Sequence, residues 1–248
     1  MASSDHPDRE HIDPYDPVPE VLYTFSSMEY LDCLLAGDLW FAPTKTFNDI
    51  HENTIFARPA AHDYEAFWES EAKIRQWVET KVVRCFTTNT RNALMWAHYA
   101  NSHKGVCVGF HTKALTETKV GEFMLGHAPV RYGTTPHLAV VSDPNNMNEI
   151  YLHAGEVLLT KSIDWAYEKE HRFSVDNPSI ANDGGGIINV GADAVYDVIF
   201  GARADEKDIE EFRMKIPQKA LVHQAEINSR AYTYNMHLRR LNDKSDNR

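Results

Sequence analysis

Short β-type runs recur along this chain without a helix placed regularly between them. VLYTF, LWFA, KVVRCFTT, GVCVGF, PVRY, YEKEHRFSV, GIINV, VYDVIFG, ALVHQAEI and AYTYNMHLRR each read as a strand, rich in β-branched and aromatic residues and set off by turn residues. A doubly wound parallel sheet needs strand and helix in alternation, and this order does not supply it. The expectation is an α+β fold: a single domain over residues 20–240 with a mixed, mostly antiparallel sheet core flanked by helices. A chain of 248 residues is long enough for one such core.

The helical segments are fewer. SSMEYLDCLLAG has capping-box spacing from Ser26 to Glu29, Leu31, Leu34 and Leu35 on one face, and Gly37 as a left-handed stop. Residues 62–80 place Tyr64, Phe67, Trp68, Ile74, Trp77 and Val78 near one helical face. Helices are also expected over 89–101, over 145–160 with Met147, Ile150, Tyr151, Ala154, Val157 and Leu158 inward, and over DEKDIEEFRMKI. The glycines at 184–186 read as a turn. Residues 1–19 hold four prolines and many acids and read as a flexible arm, and 241–248 as a polar tail.

Charge and composition exclude several roles. A formal net charge of −11 repels phosphate backbones and anionic lipid at long range. The longest apolar runs, such as VCVGF and EVLLT, are far too short to span a bilayer, and the N-terminus has no apolar signal core, so the expected compartment is the cytoplasm. Cys33, Cys85 and Cys107 form no close pair and read as buried thiols. Cys85, His98, His103 and Cys107 give a C-x12-H-x4-H-x3-C spacing, but zinc-finger cysteines come as a close pair, so no metal is expected. There is no G-x-G-x-x-G, P-loop or G-x-S-x-G motif, and NDGGGI reads as a hairpin turn.

Three segments carry chemistry. In an extended WAYEKEHRF, alternation puts Glu168, Glu170 and Arg172 on one face and Trp165, Tyr167, Lys169, His171 and Phe173 on the other. That charged face is either a solvated ladder or a carboxylate held in a cleft by Arg172, where it acts as a base or steadies a developing cation. FNDIHEN gathers Asn48, Asp49, His51, Glu52 and Asn53 in a loop that reads first as a turn. NALMWAHYANSHKGVCVGF, residues 92–110, reads as a pocket wall in which Trp96 anchors the core and His98, Tyr99 or Lys104 reaches a ligand. Helical spacing pairs Met95 with Tyr99 and Leu94 with His98, so one of His98 and Tyr99 points inward.

Together, LYTF…LLAGDLWFAPTKTFND, VRCFTTNTRNALMWAHYANSHKGVCVGF, PVRY and TKSIDWAYEKEHRF…VYDVIFG resemble the domain of unknown function 2971 family, found mainly in bacteria, from about residue 22 to about 201. Ile50 stands where members often carry proline. At the level of the fold, the order of signals is also similar to small ADP-ribosyltransferases, with LYTF as the first motif, MWAHYA as the middle aromatic and YEKEHR as the glutamate strand, although Tyr23 stands where many of those proteins have His or Arg. This second resemblance implies an enzyme that uses NAD or a related nucleotide, as an ADP-ribosyltransferase or NAD-cleaving effector in bacterial conflict, antiviral defence or stress. It implies catalytic roles among Glu170, Glu168, Tyr99 and His98, and contacts to NAD from Tyr23, Asn48, Asp49, Trp96, Lys104 and Arg172. The alternative is a noncatalytic nucleotide-binding or protein-interaction module of a defence system.

Overall fold

Pairing of the β-type runs gathers most of them into one sheet. The computed structural model describes residues 18–59, 64–227 and 235–241. The first half comprises β1 (Val21–Ser26), α1 (Leu31–Leu35), β2 (Asp38–Pro43), β3 (Phe56–Pro59), α2 (Tyr64–Glu79), β4 (Lys81–Thr87), α3 (Ala93–Tyr99), β5 (Val106–His111) and α4 (Thr112–Glu117). Short pieces follow: β6 (Lys119–Val120), β7 (Phe123–Met124), β8 (Gly126–Pro129), β9 (Arg131–Gly133) and β10 (Leu138–Val141). Then come α5 (Met147–Leu158), β11 (Thr160–Ser162), β12 (Glu170–Asp176), α6 (Pro178–Asn182), β13 (Gly186–Asn189), β14 (Val195–Phe200), α7 (Glu206–Arg213), β15 (Leu221–Ile227) and β16 (Met236–Arg240).

Ten strands form one sheet in the order β13-β2-β4-β1-β5-β14-β15-β16, with β12 attached along β4 and β8 beyond it. All its pairs are antiparallel except β14 with β15. This is the mostly antiparallel sheet flanked by helices that the irregular strand order implies. One face carries the main core, where Leu22, Phe41, Val82, Phe110, Phe173 and Phe200 are buried in one cluster. Phe86 packs edge-on against Phe110 and Phe173, with ring centroids 6.3 and 5.4 Å away. Each such side chain contributes about 1.5–3 kcal/mol by leaving water. A second cluster joins α2, β10 and α5 through Ile74, Val78, Ala139, Ile150 and Ala154. A third surrounds Trp96.

Several local expectations are corrected. Tyr64 and Trp68 are exposed on α2, and Met147 and Tyr151 on α5, because each helix buries a narrow stripe against the other. Ser26 ends β1 instead of capping a helix. Ser27 holds the N-cap position, its hydroxyl donates to Glu29, and the first turn is 3-10 over Met28–Tyr30 before α1. The helix expected over 89–101 is shorter, because Asn92 caps it and left-handed Asn101, Ser102 and His103 end it. Those three residues deliver the chain to Gly105, where a Cβ would lie 2.1 Å from the Ser26 carbonyl oxygen, so only glycine fits. Cys107 is buried as expected, but Cys33 and Cys85 are accessible. Residues 1–17 of the expected arm, 60–63, 228–234 and 242–248 of the tail lie outside the described residues.

Candidate functional site

β4 has two unlike edges. On one it pairs with β12 along its whole length, from Lys81↔Asp176 to Thr87↔Glu170. On the other, β2 pairs only at Val82 and Val83, and β1 only at Thr87. From there β1 leaves to pair with β5 and β2 with β13. The sheet therefore splits beside Arg84, Cys85 and Phe86, and a cavity of about 350 Å³ occupies the split. That volume is at the small end of ligand pockets.

Alternation decides what enters it. Tyr23, Phe25, Cys85, Thr87, Glu170 and Arg172 share the cavity side of the sheet, while Leu22, Phe86 and Phe173 point into the core. Tyr23 lies flat across β5 because Gly109 has no side chain: a Cβ there would meet the ring at 2.7 Å. Helix α3 supplies Met95 and Tyr99 one turn apart, and the loop after β2 supplies Phe47, Asn48 and Glu52. Trp40 is half-exposed at the wall.

A buried ion network forms one wall. Glu52, Glu168 and Glu170 face Lys161 and Arg172, and all five side chains are at most 5% exposed. Arg172 donates through Nε to Glu170 at 2.7 Å, through Nη2 to Glu170 at 3.1 Å and to Glu52, and through Nη1 to the Leu158 carbonyl. Its guanidinium lies 4.8 Å from the Phe47 ring. Lys161 lies 2.7 Å from Glu168, 3.5 Å from Glu170 and 3.7 Å from Glu52, and sits over the Trp165 ring. The Tyr99 hydroxyl donates to the other Glu168 oxygen at 2.5 Å and accepts from Asn48 Nδ2 at 3.3 Å.

Burial alone would raise the Glu170 carboxyl, but Arg172, Lys161 and the Cys85 thiol together hold it down at about 2. Glu170 is thus a fixed negative charge and a poor base. Glu52 goes the other way: desolvation outweighs its two cations and raises it. Burial and the Glu168 carboxylate raise the Tyr99 phenol, so it stays a proton donor. Cys85 is reachable through the cavity mouth, yet deep enough that desolvation and then the Glu170 carboxylate push its thiol well up.

The structure brings together Tyr23, Asn48, Tyr99, Glu168, Glu170 and Arg172. It does not bring His98, Asp49, Trp96 or Lys104 into this cavity. His98 and Lys104 are exposed, which settles the α3 choice in favour of Tyr99. Trp96 is fully buried, donates Nε1–H to the Thr90 carbonyl and packs edge-on against Phe25, so it belongs to the core alone. Asp49 makes a turn, accepting from the His51 N–H, and lines a second cavity of about 380 Å³ that shares Glu52 and Lys161 with the first. Glu168, Glu170 and Arg172 share one site as alternation implies, but by a different route. Ile163–Glu168 is a 3-10 turn, left-handed Lys169 ends it, and β12 begins only at Glu170.

Glu52, Lys161, Arg84 and Phe47 are absent from the sequence-derived site. FNDIHEN and TKSIDW do contain three of them, but nothing local marks a residue whose partner is 120 positions away, as Glu52 is from Arg172. Among the described residues, no group of three His, Cys, Asp or Glu side chains is arranged to hold a metal, and no helix is long and apolar enough to cross a membrane. No curated protein and no solved structure matches the chain. The family described as Protein of unknown function (DUF2971) matches residues 95–173, the segment that carries Met95, Tyr99, Lys161, Glu168, Glu170 and Arg172.

Proposed function

We propose that the cavity in the split sheet binds NAD or a related nucleotide and that the chain cleaves its nicotinamide–ribose bond, as an ADP-ribosyltransferase-like enzyme or NAD hydrolase. The observation that carries this reading is the wall of three buried carboxylates against two buried cations beside aromatic Tyr23, Phe47 and Tyr99. The excess negative charge of that wall, which is largely shielded from water, favours a cationic ring placed against it, and favours still more the oxocarbenium that forms as that ring leaves. The aromatic faces suit a flat heterocycle.

The chemistry suits a fixed charge better than a base. The ribose C1′–N bond breaks with its electron pair returning to the pyridinium, which leaves as neutral nicotinamide and needs no acid. An acceptor oxygen or nitrogen then bonds to C1′ and releases its proton to solvent. Glu170, held ionised at about 2, supplies charge without trading protons. Glu168, held by Tyr99 and Lys161, is the second candidate for the same task. A free-thiol chain acting on a nucleotide suits the reducing cytoplasm, where such an effector would serve bacterial conflict, defence or stress. One observation favours a second reading, binding without cleavage: both Glu170 oxygens are already taken by Arg172.

Nicotinamide release from NAD by wild type, Glu168→Gln and Glu170→Gln, each checked for folding by circular dichroism, separates these readings. Glu170→Gln is expected to cut release by roughly a hundredfold or more with little change in NAD affinity. Equal release by all three discards both carboxylates as the catalytic pair. A saturable rise in Tm with NAD but no release establishes the binding module. No release and no rise overturns both readings.

A further inference from the structure

Arg84 differs from the other two cations of the cavity. Lys161 and Arg172 are surrounded by carboxylates. Arg84 has no carboxylate within ion-pair distance among the described residues. Its Nη2 donates to the Thr24 hydroxyl at 2.6 Å and its Nη1 makes a long contact of 3.4 Å to the Trp40 carbonyl. Its Nε is buried with no acceptor. Thr24 belongs to β1 and Trp40 to β2, so the guanidinium spans the two strands where they part from β4.

Arg84 is partly buried, and a guanidinium there with neutral partners and a buried N–H left unpaired is costly, a cost that a methionine of similar length would avoid. Arg84 lines the cavity, and an anion held there would offset the charge that no carboxylate offsets. Guanidinium presents a planar fork matched to phosphate, and the Thr24 hydroxyl fixes one arm of that fork before any ligand arrives. Arg84 stands on the face of β4 that carries Val82 and Phe86 and lines the cavity through the split between β1 and β2. Glu170 and Arg172 enter instead from β12, on the opposite edge and the other face.

We infer that Arg84 is the anion anchor of the cavity, and that the ligand is dipolar: a phosphate or diphosphate held at Arg84 and a cationic group held toward Glu168 and Glu170. The anion site stands on Arg84 alone. Its assignment to the diphosphate of NAD rests on the proposed function above and adds the orientation, with phosphates toward the β1–β2 split.

Inorganic pyrophosphate, titrated at constant ionic strength into the full chain and read by calorimetry and Tm, tests this without any turnover. Wild type should bind saturably, and Arg84→Met should weaken binding about tenfold or more, the usual loss for one charge-assisted contact. The ligand-free Arg84→Met protein should melt no lower than wild type, because it sheds an uncompensated charge. Arg84→Lys should retain part of the affinity. Equal binding by wild type and Arg84→Met overturns the proposal. So does an Arg84→Met chain that melts several degrees lower or fails to fold, since Arg84 would then serve to hold the split strands together. Pyrophosphate binding through Arg84 with no nicotinamide release sinks only the cleavage reading. Nicotinamide release with no pyrophosphate site sinks only this one.

Discussion

Lys161 touches all three carboxylates of the cavity wall, which makes it the residue whose loss the wall tolerates least. Burial disfavours its charge, but Glu170, Glu52 and Glu168 together more than offset that and raise its pKa. Lys161→Met would leave three buried carboxylates with one guanidinium. The expected cost is about 3–5 kcal/mol, read as a lower urea midpoint at pH 7. An unchanged midpoint would mean that water, and not Lys161, neutralises the wall. At this scale the sequence was readable where chemistry is local. Glu170 and Arg172 stand two residues apart on one strand, and Tyr99 follows Met95 at helical spacing. Lys161 and Glu52 matter through contacts across the fold, and Arg84 reads as one more polar residue of a strand. Trp96 shows the opposite failure: an aromatic beside a polar cluster resembles a ligand shelf until its burial is known.

Among the elements, β12 shows where strand reasoning held and where it failed. Its alternation sets Glu170 and Arg172 against the cavity, with His171 and Phe173 on the other side. The periodicity could not reveal that Lys169 turns left-handed and hands Glu168 to a 3-10 turn. The hidden side carries its own consequence. His171 is 6% exposed and its Nε2 lies 3.3 Å from His127 Nδ1 on β8. Burial first, and then His127, bring the His171 imidazole down to about 4. Burial lowers His127 as well. A histidine whose folded pKa is below its unfolded value near 6.5 stays neutral in the fold, so the unfolded chain binds more protons between those values. The His171 contribution to stability should therefore be lost as pH drops from about 6.5 to about 4, by up to about 1.4 kcal/mol per pH unit for one proton, and that loss is complete below. Glu170 acts lower, its contribution fading from about 4.3 toward its folded value of about 2. Urea midpoints at pH 7 and pH 5 should differ less for His171→Gln than for wild type. An equal difference would place the acid sensitivity elsewhere.

For the whole molecule, the irregular strand order was enough to exclude a doubly wound sheet and to imply a mostly antiparallel one. It did not reveal that β1 and β2 share an edge of β4 and then diverge, because register between distant strands leaves no local trace. That divergence makes the cavity, and the three cysteines happen to report on it: Cys85 lines the cavity, Cys33 is exposed elsewhere and Cys107 is sealed in the core around Trp96. The most direct measurement is the rate of iodoacetamide alkylation at each cysteine, mapped by mass spectrometry as NAD is titrated. Without ligand, Cys33 should react fastest, Cys85 slowly because its thiol is held protonated, and Cys107 not at all. NAD should protect Cys85 saturably and leave Cys33 unchanged. Alkylation of Cys85 that saturating NAD does not slow would contradict the claim that the split in the sheet is where this protein holds its nucleotide.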